Sequence, residues 1–486
     1  MPTIDPASPP DPPRLRALEQ ALNSIGTTGA HRSILALVIA GCVFDSFEQN
    51  TIGIVGPVLH QAWGIGAAAI GLLNTITFAS AAVGRLLSGY FGDRYGRRTM
   101  LTIDLALFTL GAIICAIAPN FGTLAGGRAI VGFGLGGEIS IAVTMLAEFC
   151  SARFRGTAVG LINVGAGGFG NFLAPALGLL VFAVFPGPDR WRFLFAVLVL
   201  PAVLVVFYRR YVPETPRYLL SQGDVRGANR VLSVLASGRL TARDVAVHAY
   251  IPEGAATAEP AAPAARLGEI FQGAFAWRTI PVSIATWMTY GAQITVLTLM
   301  PTVLVAEGYT ITRSLVFTMV IQAGSLLGTS VASVFGFHLP RKPVLTWGAI
   351  LACLAALGFG FLGANVALVL FFGATFQFFV LLLNTTVFMY APELYPTRIR
   401  AFGTAFILAV GTASGALMPL ISGRLFQSYG IGAVFALIAA MYAVFALSVQ
   451  LAPETFGRSL EDLRLPAAPA PAPADFAAAT AGAAPR

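Results

Sequence analysis

Residues 366–400 read VALVLFFGATFQFFVLLLNTTVFMYAPELYPTRIR. No side chain before Glu393 carries a charge, and then Glu393, Arg398 and Arg400 follow within eight residues. A helix needs about 20 apolar residues to cross the hydrocarbon core of a bilayer, so the first part of this stretch predicts a membrane span and the second a polar loop. The same layout occurs earlier: Glu148 and Arg155 in EFCSARFRG stand seven apart, as Glu393 and Arg400 do, at a displacement of 245 residues. PETPR at Pro213 returns as PETFGR at Pro453, displaced by 240, and GDRYGRR at Gly92 has a degraded partner in GFHLPRK at Gly336. Three ordered matches at nearly one offset predict two related halves.

Outward from that stretch, twelve apolar runs can be placed. Six lie near 33–58, 68–90, 99–119, 122–148, 156–185 and 191–212, and six near 279–305, 312–337, 343–363, 365–391, 401–425 and 430–452. Continuous runs exclude a β-barrel, whose strands give short alternating segments. The fold expected is an all-α membrane protein of twelve transmembrane helices in two pseudo-symmetric six-helix bundles. Its composition agrees: 56% of the 486 residues are hydrophobic and 11% charged, with a mean hydropathy of +0.78. Soluble domains carry about 25% charged residues. The net charge of +8 sits in short clusters between apolar runs, so no nucleic-acid partner is implied. Of the 30 basic residues, 24 fall on one set of loops and tails, which the positive-inside rule places in the cytoplasm together with both termini. Residues 1–32 read as an N-terminal tail, 213–278 as a cytoplasmic linker and 453–486 as a C-terminal tail. The four cysteines are scattered among apolar runs and suggest neither disulfides nor a metal site.

Four motifs carry a resemblance. GYFGDRYGRR (Gly89 to Arg98), RAIVGFGLGGE (Arg128 to Glu138), PETPRYLL and PETFGRSLED resemble signatures of the major facilitator superfamily, in its sugar-porter-like branch. The glutamine-rich and Gly-Pro-x-x-Trp signatures of sugar porters are missing from TWMTYGAQITVLTLMP and FQFFVLLLNTTVFMYAPELYPTRIRAFG. FDSFE (Phe44 to Glu48), the GGE segment and YAPELYPTRIRAFG are instead similar to organic-acid and metabolite:proton symporters, including nicotinate and aromatic-acid carriers. One departure stands at Ile139-Ser140-Ile141, where that group has a proline. The resemblance implies a monomeric carrier in a bacterial inner membrane, driven by the proton gradient without a cofactor. At the loop ends it implies a cytoplasmic gate made of Asp93, Arg97, Glu148, Arg155, Glu393 and Arg400.

Ionisable residues inside a bilayer are costly and hence functional candidates. Asp45 and Glu48 lie three apart on one helical face. Glu138 lies mid-helix, and Arg128 ten residues earlier, about 15 Å away. A carboxylate in a low-dielectric cavity can exchange a proton near neutral pH, so Asp45, Glu48 or Glu138 is expected to carry the proton. Arg128 is expected either to orient an anionic substrate or to brace one of the acids. The second half offers Tyr290, Gln293, Gln322, Gln377 and Asn384, which can orient a polar ligand or join helices. Arg85 and Asp104 are expected to pair as a structural salt bridge. These features predict a transporter, with no nucleophile-base constellation of an enzyme. Proton symport of a small organic anion leads, proton-driven efflux is the runner-up, and sugar symport follows.

Overall fold

A computed structural model describes residues 13–241, 245–252, 267–336, 338–361, 365–395 and 397–456, without the side chains of residues 13, 152, 153, 155, 156, 267, 274, 397, 398 and 401. The side chain of Arg155, the middle of the expected linker and the tail after Phe456 lie outside the described residues.

Every regular element among the described residues is a helix. A short helix α1 (Pro13–Ile25) precedes α2 (Gly29–Trp63), α3 (Ala67–Tyr95), α4 (Arg97–Ile117) and α5 (Phe121–Phe149). The fifth crossing is composite, with α6 (Ala152–Asn163), a π-helix (Val164–Gly170) and α7 (Asn171–Val184), and the sixth joins α8 (Arg190–Val197) to α9 (Pro201–Tyr211). After α10 (Pro216–Ser221) and α11 (Val225–Ser237) come α12 (Gly273–Ala306), α13 (Ile311–Phe335), α14 (Arg341–Phe361), α15 (Val366–Glu393) and α16 (Thr397–Leu451). Among the described residues eleven helical segments are long and apolar enough to span a membrane. The last of these is broken at Gly430, where φ of 77° is open to glycine and unfavourable for other residues, so it crosses twice. Twelve crossings result.

Local chemistry sets the ends. Asn120 accepts from Thr123 N at 2.9 Å and Asn365 from Ala367 N at 2.9 Å, capping the starts of α5 and α15. Three large cores form: one around Phe376, Tyr390, Tyr442 and Phe445 of the second half, one at the loop side of the first half, and one around Val55, Phe108 and Trp191 of the first half that also takes in Ile311 and Leu315 of α13. On the loop side of the first half, Leu18, Leu22, Leu232 and Leu235 join α1 and α11 to the bundle. Residues 13–25, within the expected tail, thus form a packed helix.

In α5, Arg128, Gly132 and Gly136 recur every four residues and share one face against α3. A Cβ at Gly132 or Gly136 would lie 2.0 or 1.9 Å from the carbonyl oxygens of Thr77 and Ala81. The GFGLGG run is therefore a close-approach surface that draws two helices together and holds the arginine between them.

Candidate functional site: buried charges between two halves

Away from the helix ends, the crossings of the first half hold four acids, Asp45, Glu48, Asp104 and Glu138, and two arginines, Arg85 and Arg128. Arg128 and Glu48 form an ion pair, each 0% exposed. Arg128 Nε also donates to Thr77 Oγ1 at 2.9 Å, and its guanidinium lies over the Phe195 ring at 5.9 Å. The guanidinium is enclosed in this arrangement, and its partners join α5 to α2 and α3.

Asp45 and Glu48, expected on one face, meet different partners. Asp45 is buried beside the carboxyl of Glu138, and no fixed hydrogen-bond donor among the described residues reaches either Asp45 oxygen. Two carboxyl groups can bond to each other only when one carries a proton. Glu138 reaches α2 because Gly41 leaves room; a Cβ there would stand 2.5 Å from Glu138 Oε1.

The expected pairing of Arg85 with Asp104 is overturned. Ser88 Oγ donates to Asp104 Oδ1 at 2.7 Å, and Asp104 packs on the Cα of Gly137, next to Glu138. Asp104 is thus a third member of the acid cluster, missed because its distance from the loop suggested a boundary role. Arg85 turns the other way, donating from Nη1 to Thr412 Oγ1 at 2.7 Å and to the Leu408 carbonyl at 3.3 Å, both in α16. The reason is length: α3 runs to Tyr95, five residues past the expected end, so Arg85 sits deeper than the sequence suggested.

In the second half Asn384 Nδ2 donates to Gln293 Oε1, and Gln377 Nε2 to Gln322 Oε1 at 3.1 Å. Ser325 Oγ adds a bond to that same Gln322 oxygen at 2.6 Å. Gln377 and Gln322 are fully enclosed, joining α15 to α13, whereas Tyr290 lines a narrow cleft between the halves with Gln49, Phe78, Arg85, Ile139 and Thr412.

The charged loop motifs build one corner twice. Arg97 Nη2 bonds to Asp93 at 2.7 Å and Glu148 at 3.1 Å, and Thr215 Oγ1 donates to Glu148 at 2.6 Å. In the second half Arg341 meets Glu393 at 2.7 Å, and Thr455 Oγ1 donates to Glu393 at 2.6 Å. The glutamates of the two PET motifs cap helix starts: Glu214 accepts from Arg97 N and Arg98 N, Glu454 from Arg341 N and Lys342 N. Arg400, expected in the gate, donates to the Tyr395 carbonyl at 3.3 Å. All of these bonds stay inside their own half.

The two caps differ in titration. Burial pushes the Glu214 carboxyl up against three backbone N–H bonds. At Glu454 burial also pushes up, but four N–H bonds outweigh it and hold the carboxyl below its ordinary 4.5. A depressed acid stabilises above its ordinary value and loses that contribution as pH falls; a raised acid does the reverse. Thermal unfolding of purified protein should therefore show a Glu454→Gln penalty at pH 7 that fades below pH 4.5. Glu214→Gln should gain on the parent as pH rises above that value; parallel pH profiles for the two variants would contradict this.

Residues 48–465 match the sequence pattern of the family described as sugar (and other) transporter. The chain belongs to that family. The transporter is 29% identical over 440 residues to the niacin transporter of Acinetobacter baylyi, covering 90% of this chain and 97% of that one. It is 29% identical to the gallate transporter of Pseudomonas putida (82% and 86% covered), and 27% to a probable 4-methylmuconolactone transporter of Cupriavidus pinatubonensis (90% and 94%). Its fold matches the E. coli xylose transporter in a partially occluded inward open conformation, with a TM-score of 0.72 at 19% identity, covering 88% of this chain and 99% of that one. The molecule is a multi-pass major facilitator transporter, not an enzyme.

In this transporter the end away from the charged corners is shut. A Cβ at Gly53 would lie 2.1 Å from the Leu297 carbonyl oxygen, and one at Gly71 2.7 Å from that of Pro419. Asn74 Nδ2 bonds to Thr298 Oγ1 across the same seam.

Proposed function

We propose that the protein takes up a small organic anion, an aromatic or heterocyclic monocarboxylate, together with protons, by alternating access. The charged corners face the cytoplasm, as do both termini, in a bacterial plasma membrane, and the transporter works as a monomer. The observation that carries proton coupling is Asp45 set against Glu138 in a closed cluster with Asp104 nearby. Like charges so close in a low-dielectric site repel, and one shared proton relieves that repulsion. Exchange of that proton with either side follows the opening of that side. Niacin and gallate, named for two of the relatives, are ring compounds bearing a carboxylate, which supports the substrate class.

In proteoliposomes with an imposed pH gradient, Asp45→Asn and Glu138→Gln are expected to lose gradient-driven accumulation of labelled aromatic acids. Exchange of labelled for unlabelled substrate should persist, since binding and rocking remain. Accumulation that survives both changes, or appears only under the opposite gradient, would defeat proton symport; the second outcome indicates efflux.

A further inference from the structure

Arg85 has a position that its sequence context did not suggest. It lies ten residues, about 15 Å, inside the corner end of α3 and points across the seam between the halves. Arg128 is consumed by Glu48, whereas Arg85 forms no ion pair among the described residues. Its positive charge acts on Asp45. Only Nη1 is engaged, by Thr412 and Leu408, and Nε–H has no acceptor. A buried N–H without an acceptor is costly, and a guanidinium offers its donors as a planar fork matched to a carboxylate. That fork borders the cleft lined by Phe78, Tyr290, Gln49 and Ile139, which has room for little more than a water molecule in this structure.

Resting on the organic-anion reading above, we propose that Arg85 receives the substrate's carboxylate on its Nε and Nη2 edge, with the ring seated between Phe78 and Tyr290 as the cleft widens. Nη1 keeps its hold on Thr412, so an occupied Arg85 joins both halves through one side chain. The site also links anion to proton. A carboxylate on Arg85 offsets the positive charge that acts on Asp45, so a bound anion and a bound proton favour one another. Glu138 and Asp104 are the other charged groups acting on Asp45.

The test compares nicotinate and benzoate with nicotinamide and benzamide, neutral isosteres, for binding to purified protein in lipid nanodiscs by titration. The parent should prefer each acid to its amide by at least about tenfold, the discrimination expected when a charged group loses its partner. Arg85→Gln should erase that preference while amide binding is unchanged. Arg85→Lys should keep a preference for the acid but bind it about tenfold less tightly, because a point charge replaces the fork. Thr412→Val, which removes the bridge alone, should retain the preference. If Arg85→Gln keeps the acid preference, or if it does not assemble and Arg85→Lys binds acids as the parent does, the assignment is overturned with organic-anion transport intact. A parent protein that binds none of the acids overturns both.

Discussion

Arg128→Met is expected to cost the folded protein about 3–5 kcal/mol, because it leaves the Glu48 carboxylate buried without its counter-charge. Glu48→Leu should cost a similar amount by stranding the guanidinium. The two together should recover most of the loss, since apolar groups of similar volume replace a buried pair at little or no cost. Thermal unfolding of the purified single and double variants measures this coupling; strictly additive losses would rule out a brace. Transport gives a second reading. Exchange that persists in the folded double variant separates the Glu48 brace from the Asp45 and Glu138 pair, whose loss abolishes gradient-driven accumulation.

Gly53→Leu should abolish uptake while leaving the protein folded. The obstacle to a side chain at that position is the Leu297 carbonyl oxygen, backbone that cannot rotate away, so α2 and α12 must part. Both charged corners and two of the three large cores each lie within a single half and away from this contact, which is why folding survives. Overpacking costs of about 1–3 kcal/mol fall on the closed state alone and shift the balance between open and closed by roughly 5–150-fold. A cysteine at Thr298 in this background should react faster with a membrane-impermeant thiol reagent added outside. Near-normal uptake by Gly53→Leu would mean that the seam does not need to close.

The crossings and the two halves were legible because hydropathy and motif spacing report directly on them. The chain's own limits blurred at α1 and at the end of α3: the amphipathic PRLRALEQALNSI carries arginines that resemble a solvated tail, and charged turns hide a helix that continues past the apolar run. Within the site, Asp45, Glu48, Arg128 and Glu138 were visible as charges in apolar surroundings, but their pairing was not. Spacing along one helix puts Asp45 and Glu48 together, whereas Gly41 on the same helix makes space for Glu138 and the glycine face of α5 brings Arg128 to Glu48. Arg85 and Asp104 failed for the same reason: depth is readable along a chain, but direction around a helix depends on which neighbour comes close.

Self-contained corners have a consequence for the energy of turnover. Bonds seen to cross between the halves are few among the described residues: Asn74 to Thr298, Arg85 to α16, Ser333 to the Gly160 carbonyl, and the Gln427 side-chain oxygen, which accepts from Ala67 N and Ala68 N. Each such bond contributes about 1 kcal/mol net. Two bodies joined by few hydrogen bonds, and otherwise by apolar packing such as Phe78 on Ile294 and Leu297, can part at one end and close at the other without breaking a charged network, so that the binding of one small solute can shift the balance between outward and inward arrangements. The strong interactions keep each body whole, and the weak ones leave the choice between arrangements to the cargo.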